Sequence, residues 1–333
     1  MLSKSKKCCF IVVYFGKLPD SFSVFLKSCS VNKSFQWLIF TDDTKEFDYP
    51  ENVSRIPFSL EEFRNLAANR LGFKPTIPSA YKLCDFKPAF GYILEQYIRD
   101  YPYWGHIDID TIVGNLEHFL SWETLRQYDK LFCLGHCVIY KNTPDNLSLF
   151  MKPLNGRLIY REAFTNPDIV WFDEEWNGTN NINQIFLKYN KRVFQVDYSA
   201  NIDVWKQRFR LSTYRYEEAS SCFQFAIDEC KHTRFFWSEN GIFSVQLSDG
   251  NLVKQEYLYM HYQWRKMRNS KRACRSEIIQ IVPNAFLPAR CIPDSKSEWM
   301  LNWKWFPCVY WLSKPFSMFI SRQIAKIKSS NCK

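Results

Sequence analysis

The stretch "YWGHIDIDTIVGN", residues 103–115, sets a short apolar run directly before two aspartates one residue apart, Asp108 and Asp110. "YWGHI" reads as a buried strand, and the aspartates fall at its end, ahead of a turn containing Gly114. Neighbouring carboxylates raise each other's pKa unless a positive charge sits between them. A solvated turn accounts for the pair, and so does a divalent cation. Mg²⁺ or Mn²⁺ takes carboxylate oxygens and keeps positions open for phosphate.

The strand reading extends upstream. "CCFIVVYF" (8–15) is a continuous apolar run, as in a strand buried on both faces. Pro19 opens a helix with Phe22, Phe25, Leu26 and Cys29 at helical spacing. "FQWLIFTDD" (35–43) is a second buried strand ending in acids, and "NVSRIPF" (52–58) is a third. "SLEEFRNLAANRLG" (59–72) runs from a Ser N-cap to Gly72 and reads as a helix. Asp85 is placed to cap a further helix, with Pro88 in its first turn and Phe90, Ile93, Leu94 and Tyr97 as its apolar stripe. Strands alternating with helices predict an α/β fold with a mixed, mostly parallel central sheet flanked by helices. Ligands of such sheets sit beyond the carboxyl ends of the strands. The ends "YFGK" (14–17), "TDD" (41–43) and "DID" (108–110) are therefore expected on one rim.

Downstream, "YDKLFCLGHCVIYKN" (128–142) reads as a strand or hairpin, and "NNINQIFLKYN" (180–190) as a short helix. "RVFQV" (192–196), "FSVQL" (243–247) and "EYLYMHYQW" (256–264) read as strands. "KWFPCVYWLSKPFSMFISRQIAKIK" (304–328) mixes bulky apolar and basic residues. After Pro315 it is amphipathic at helical spacing, through Phe316, Phe319, Ile320, Ile324 and Ile327. No internal repeat or low-complexity linker divides the chain.

The 333 residues are 46% hydrophobic and 23% charged, a globular balance long enough to bury a sizeable core. The formal net charge of +10 favours an anionic partner, and much of it lies in "WRKMRNSKRACR" (264–275) and the tail. No nucleic-acid module accompanies it, so no nucleic-acid partner is expected. The tail reads as an interfacial helix on anionic lipid, or as a partner-binding or self-packing helix. The 12 cysteines contain no CxxC pair. The N-terminal apolar run reads as a strand rather than a signal peptide. Reduced thiols and the lack of an export signal point to a cytoplasmic protein, peripheral on the inner face of the plasma membrane if the tail binds lipid.

Taken in order, "IVVYFGKLPDSF", "WLIFTDD", "YKLCDFKPAFGYIL", "YWGHIDIDTIVGNL", "LGHCVIYKN", "FDEEWNGTNNINQIF" and "YMHYQWRKM" resemble a GT-A-type nucleotide-sugar glycosyltransferase. They are most similar to an uncharacterised family typified by bacterial polysaccharide-gene neighbourhoods. The segments cover roughly residues 8–267. The resemblance implies a GT-A-like domain over 1–275, with a nucleotide-binding half near 8–120 and an acceptor-side half over 121–275. Residues 276–333 would form an aromatic and basic helical extension. It implies a sugar moved from a nucleoside diphosphate-sugar to a hydroxyl of a saccharide or lipid-linked acceptor, with Mn²⁺ or Mg²⁺ as cofactor.

The pattern carries its metal-binding acids onto Asp108 and Asp110, and its late histidine onto His261. Its nucleotide contacts fall near Tyr14 and Phe15 and on Asp42 or Asp43, with Arg265 and Lys266 toward the phosphates. Its acceptor-side acid, the base of inverting members, falls on Asp173 or Glu174. Alternatively, those acids complement the N-terminus of the helix at Asn181, and His261 is a bonded core histidine. Lys82, Asp85 and Lys87 cluster beside a helix start, where phosphate or sugar binding competes with capping and surface charge.

Two other classes compete. A phosphoryl-transfer enzyme of haloacid-dehalogenase type also carries an Asp pair at a strand end. It wants Thr two residues after the second Asp, where Ile112 stands. A non-catalytic sugar- or nucleotide-binding scaffold is the other.

Overall fold

The computed structural model describes residues 6–175, 179–203, 209–217, 222–263, 265–268 and 270–302. The amphipathic helix expected after Pro315 lies outside them.

The chain starts with β1 (Cys8–Val13), whose alternate residues enter two different cores. Cys9 and Ile11 join the core on one face, and Cys8, Phe10 and Val12 the core on the other. β2 (Phe35–Thr41) does the same, with Leu38 and Phe40 on one face and Phe35, Trp37 and Ile39 on the other. This two-faced burial is what an unbroken apolar run encodes. β3 (Val53–Pro57) lies parallel to β2, and β4 (Tyr103–Ile107) lies parallel to β1.

Helix α1 (Phe22–Ser30) buries Phe22, Phe25, Leu26 and Cys29 against one face of the sheet. Helix α2 (Leu60–Leu71) lies on the other face through Phe63 and Ala67. A reciprocal Ser59–Glu62 capping box starts α2, and Gly72 ends it at φ +74°.

β5 (Thr111–Val113) leaves this sheet, while β6 (Lys130–Leu131), β7 (Cys137–Lys141) and β8 (Val193–Phe194) complete it. The order is β3-β2-β1-β4-β7-β6-β8. Only β7 runs against its neighbours. The carboxyl ends of the other strands and the amino end of β7 therefore share one rim. That reversal brings Gly135 and His136, just ahead of β7, to the end of β4.

The second half carries more strand than its sequence declares. A hairpin pairs β10 (Leu211–Glu217) with β11 (Cys222–Asp228), after β9 (Ser199–Asn201). Then come β12 (Thr233–Ser238), β13 (Gly241–Ser248) and β14 (Asn251–Tyr257). The expected single strand 256–264 is broken at Leu258: Tyr257 closes β14, and β15 (Tyr259–His261) joins another sheet. In that three-stranded sheet β15 lies between β5 and β9. Residues 278–289, expected in the C-terminal extension, instead supply β16 (Ile278–Val282) and β17 (Ala285–Ala289). β16 pairs with β12 inside a five-stranded antiparallel sheet, burying Ile279 and Ile281. Among the described residues no helix is long and apolar enough to cross a membrane.

Candidate active site

Asp108 is the first residue after β4, and its backbone N–H donates to the His136 carbonyl at 3.0 Å. Asp110 precedes β5, and β15 lies antiparallel to β5 with His261 opposite Thr111. Tyr262 N–H donates to the Asp110 carbonyl at 3.0 Å. This register sets the imidazole beside the Asp pair. Oxygen and nitrogen ligand atoms of Asp108, Asp110 and His261 all lie within 4.8 Å of one another.

The histidine is oriented for the task. Its Nδ1 lies 3.1 Å from the Asn201 Oδ1, which also accepts from Gln263 Nε2 at 2.9 Å. An amide oxygen there makes Nδ1 an N–H of the ring and leaves Nε2 facing Asp110 Oδ1 at 3.4 Å, a donor in the protonated ring and a lone pair in the neutral one. A lone pair aimed at a carboxylate is repelled unless a cation or proton stands between them. Two carboxylates and one oriented imidazole are a fitting donor set for a divalent cation. Burial pushes the Asp110 carboxyl up, but His261 and Lys87 outweigh it and its pKa lies below the usual value.

A second charged layer adjoins the first. Lys87 is buried, and its Nζ reaches Asp108 Oδ1 at 2.8 Å, Asp173 Oδ2 at 3.4 Å and the Gly135 carbonyl at 2.9 Å. Burial alone would lower the pKa of this ammonium, but Asp108 and Asp173 raise it well above the ordinary value. Glu174 turns to the same place and accepts the Gly135 N–H at 3.1 Å. A Cβ at Gly135 would stand 2.3 Å from Asp173 Oδ2, so any larger residue there would push the Asp173 carboxylate aside. Burial drives the Asp173 carboxyl well above its usual range; Lys87 opposes this while Glu174, Asp85 and Asp108 add to it. Glu174 is raised too, chiefly by burial.

Among the described residues, the hydrogen-bonding cap of the helix that follows is neither of these acids. Asn181 caps Ile182–Lys188 with its own side chain, and Gln184 donates to Glu175 instead.

The expected nucleotide side is organised at the ends of β1 and β2. Asp42 accepts the Gly16 N–H and Asp43 the Leu18 N–H, each at 2.7 Å, so the two acids hold the turn after β1. Tyr14 and Phe15 begin that turn, half-buried. Burial raises the Tyr14 hydroxyl pKa, and Asp110 and Asp43 raise it further.

Three expectations are corrected. Asp85 caps no helix. It lies inside the 3₁₀ helix Ala80–Ala89, fully buried, and accepts the Val170 and Phe172 N–H groups at 3.1 and 3.0 Å. Lys82, 1% exposed, pairs with Asp85 at 2.6 Å and donates to the Asp168 carbonyl, so this pair is sealed away from any phosphate. Arg265 is buried too, donating to the Pro283 and Asp203 carbonyls at 2.9 and 2.7 Å, with its guanidinium over Phe209. Lys266 is exposed.

Sequence reading also passed over His136. Its ring centroid lies 4.4 Å from that of His261, and its Nδ1 meets the Tyr259 hydroxyl at 2.6 Å. Burial, then His261 and Lys87, lowers its pKa well below the ordinary value, so it stays neutral beside the acids. Its place in "LGHCV", just ahead of a strand next to the Asp strand, was the only signal.

The comparisons place the chain in a family. A family model described as "Family of unknown function (DUF6625)" matches residues 10–290, and the chain belongs to that family. No curated protein matches the chain. Among solved structures, a crystal structure of an active-site mutant of LgtC is similar, with 12% identity and a TM-score of 0.33. The match covers 58% of this chain and 75% of that one.

Proposed function

We propose that this chain is a metal-dependent glycosyltransferase of GT-A type, moving a sugar from a nucleoside diphosphate-sugar to a hydroxyl acceptor in cell-surface polysaccharide or glycolipid synthesis. The observation that carries the reading is the Asp108–Asp110–His261 donor set on the carboxyl rim of the parallel strands, with a second acid pair beside it.

Asp108, Asp110 and the Nε2 of His261 would hold the cation, and one nitrogen among oxygens favours Mn²⁺ over the strictly oxygen-seeking Mg²⁺. A bound cation supplies charge neutralisation for a diphosphate leaving group. Tyr14 and Phe15 line the nucleotide side on the turn that Asp42 and Asp43 hold. Of the acceptor-side acids, Asp173 is 2% exposed and sits under Lys87 as a positioning residue. Glu174 is the more exposed and is the acid an acceptor hydroxyl can reach. Burial raises its pKa, which makes it a stronger proton acceptor than an ordinary carboxylate.

The test is a thermal-shift screen of purified protein against UDP, GDP, CDP and dTDP, each with Mn²⁺ and with EDTA. Ligands that bind only the native state raise its apparent stability. A shift with one diphosphate that requires Mn²⁺ is expected; flat curves with all four would sink the transferase reading. With donor and acceptor in hand, Glu174→Gln is expected to lower kcat about a hundredfold with donor KM unchanged, the lower end of general-base effects. An unchanged kcat would remove Glu174 from the chemistry.

A further inference from the structure

We infer that Trp171 is a saccharide-stacking platform at the acceptor side of the site, binding the apolar face of a pyranose ring. This rests on the glycosyltransferase reading and deepens it.

The backbone of Trp171 is left-handed, at φ +55°, and its side chain is 40% exposed. For a bulky side chain that conformation is a true outlier and costs about 1–2 kcal/mol. Glycine or asparagine would sit there at lower cost, without an indole in water. Its neighbours do the structural work. Phe172 is fully buried against Phe164, and Val170 packs against the same core. Asp85 grips the N–H groups of both Val170 and Phe172, so the bend at Trp171 is imposed from below. Among the described residues, packing accounts for Val170 and Phe172 but not for a tryptophan between them. Strain held in place by its surroundings marks functional positions.

The location supplies the ligand class. The Trp171 carbonyl accepts from the Glu174 N–H at 3.5 Å, so the indole shares its turn with the acceptor-side acids. Tyr81, 57% exposed, stands four residues before Asp85 on the 3₁₀ helix that grips this turn. Its phenol also feels Lys87, Asp108 and Glu174 electrostatically. An exposed indole on a turn that leads into carboxylates matches a sugar: C–H groups on one face meet a ring, and hydroxyls around the edge donate to acids. A nucleobase is the other flat ligand here. The nucleotide side, however, lies at the ends of β1 and β2, whereas Glu174 is anchored to Gly135 ahead of β7, on the opposite flank of β4.

The test uses the full chain with UDP and Mn²⁺ present, and saturation-transfer NMR with methyl β-glucoside, methyl β-galactoside, cellobiose and lactose. Wild-type protein is expected to transfer saturation to the ring protons of at least one sugar. Trp171→Gly is expected to lose that signal at least fivefold while melting at the same temperature or higher, because glycine relieves the left-handed strain. Trp171→Phe is expected to keep it within about twofold. A structural role would give the reverse, a lower melting temperature with sugar binding intact. Sugar signals that survive Trp171→Gly, or none from wild type, would overturn the inference. The thermal shift with UDP and Mn²⁺ is read in the same samples. Its loss in Trp171→Gly alone would make Trp171 a nucleotide contact and also overturn the inference. Its absence from wild type would instead strike the transferase reading.

Discussion

Replacing Asp108 and Asp110 together by Asn is expected to abolish Mn²⁺-dependent nucleotide binding and to cut sugar transfer about a thousandfold or more. A cation at a developing leaving-group charge supplies several kcal/mol, and about 4 kcal/mol is three powers of ten in rate. The substitution keeps shape, removes the charge and exchanges one acceptor oxygen of each residue for an amide donor. Its surroundings explain why the fold should survive. Lys87 keeps Asp173 and the Gly135 carbonyl, and His261 keeps Asn201. The strand register that carries both positions is set by backbone pairing of β5 with β15. Mn²⁺ titration calorimetry on each single variant separates the two roles. Asp110→Asn should weaken the metal most directly, since Asp110 faces the His261 nitrogen. Asp108→Asn also disturbs Lys87. Unaltered Mn²⁺ affinity in the double variant would mean the ion, if any, is held elsewhere.

The reach of the sequence ended where the partners became distant. β1, β2 and β4 were legible because burial on both faces needs continuous apolar runs, and α2 because its capping box spans four consecutive residues. The shared rim followed from parallel order alone. The place of Lys87 did not: its partners are 21 and 86 residues further along the chain, and a lysine beside a helix start looks the same whether it meets phosphate or buried carboxylates. Asp85 looks like a helix cap for the same reason, since its amide donors come 85 and 87 residues later. Much of the antiparallel sheet was hidden differently. "NLVKQEY" of β14 is largely exposed and mostly polar, so alternation is weak, and three-residue β9 is too short to carry any period. His136 was missed because a strand that reverses direction within a mostly parallel sheet leaves no local mark.

Asp85→Ala is expected to be the most destabilising single change, lowering the unfolding free energy by about 3–5 kcal/mol. The magnitude comes from what the substitution leaves behind. Lys82 would lose its carboxylate at 1% exposure and keep the Asp168 carbonyl, and the Val170 and Phe172 N–H groups would lose their acceptor. An orphaned buried donor costs about 1–3 kcal/mol by itself. The double variant Lys82→Met with Asp85→Leu separates the two contributions. It removes both charges together, so the ion-pair part should be recovered and only the amide part remain. The double variant is therefore expected to be more stable than Asp85→Ala, a coupling that denaturation midpoints in urea would read directly. The consequence reaches the site, because the turn that Asp85 grips carries Trp171 and leads into Asp173 and Glu174. Even at temperatures where Asp85→Ala stays folded, Glu174 should lose its fixed place at Gly135 and transfer should fall. A urea midpoint equal to wild type would mean that the buried pair contributes nothing net, and that the left-handed turn at Trp171 is held by the packing of Phe172 alone.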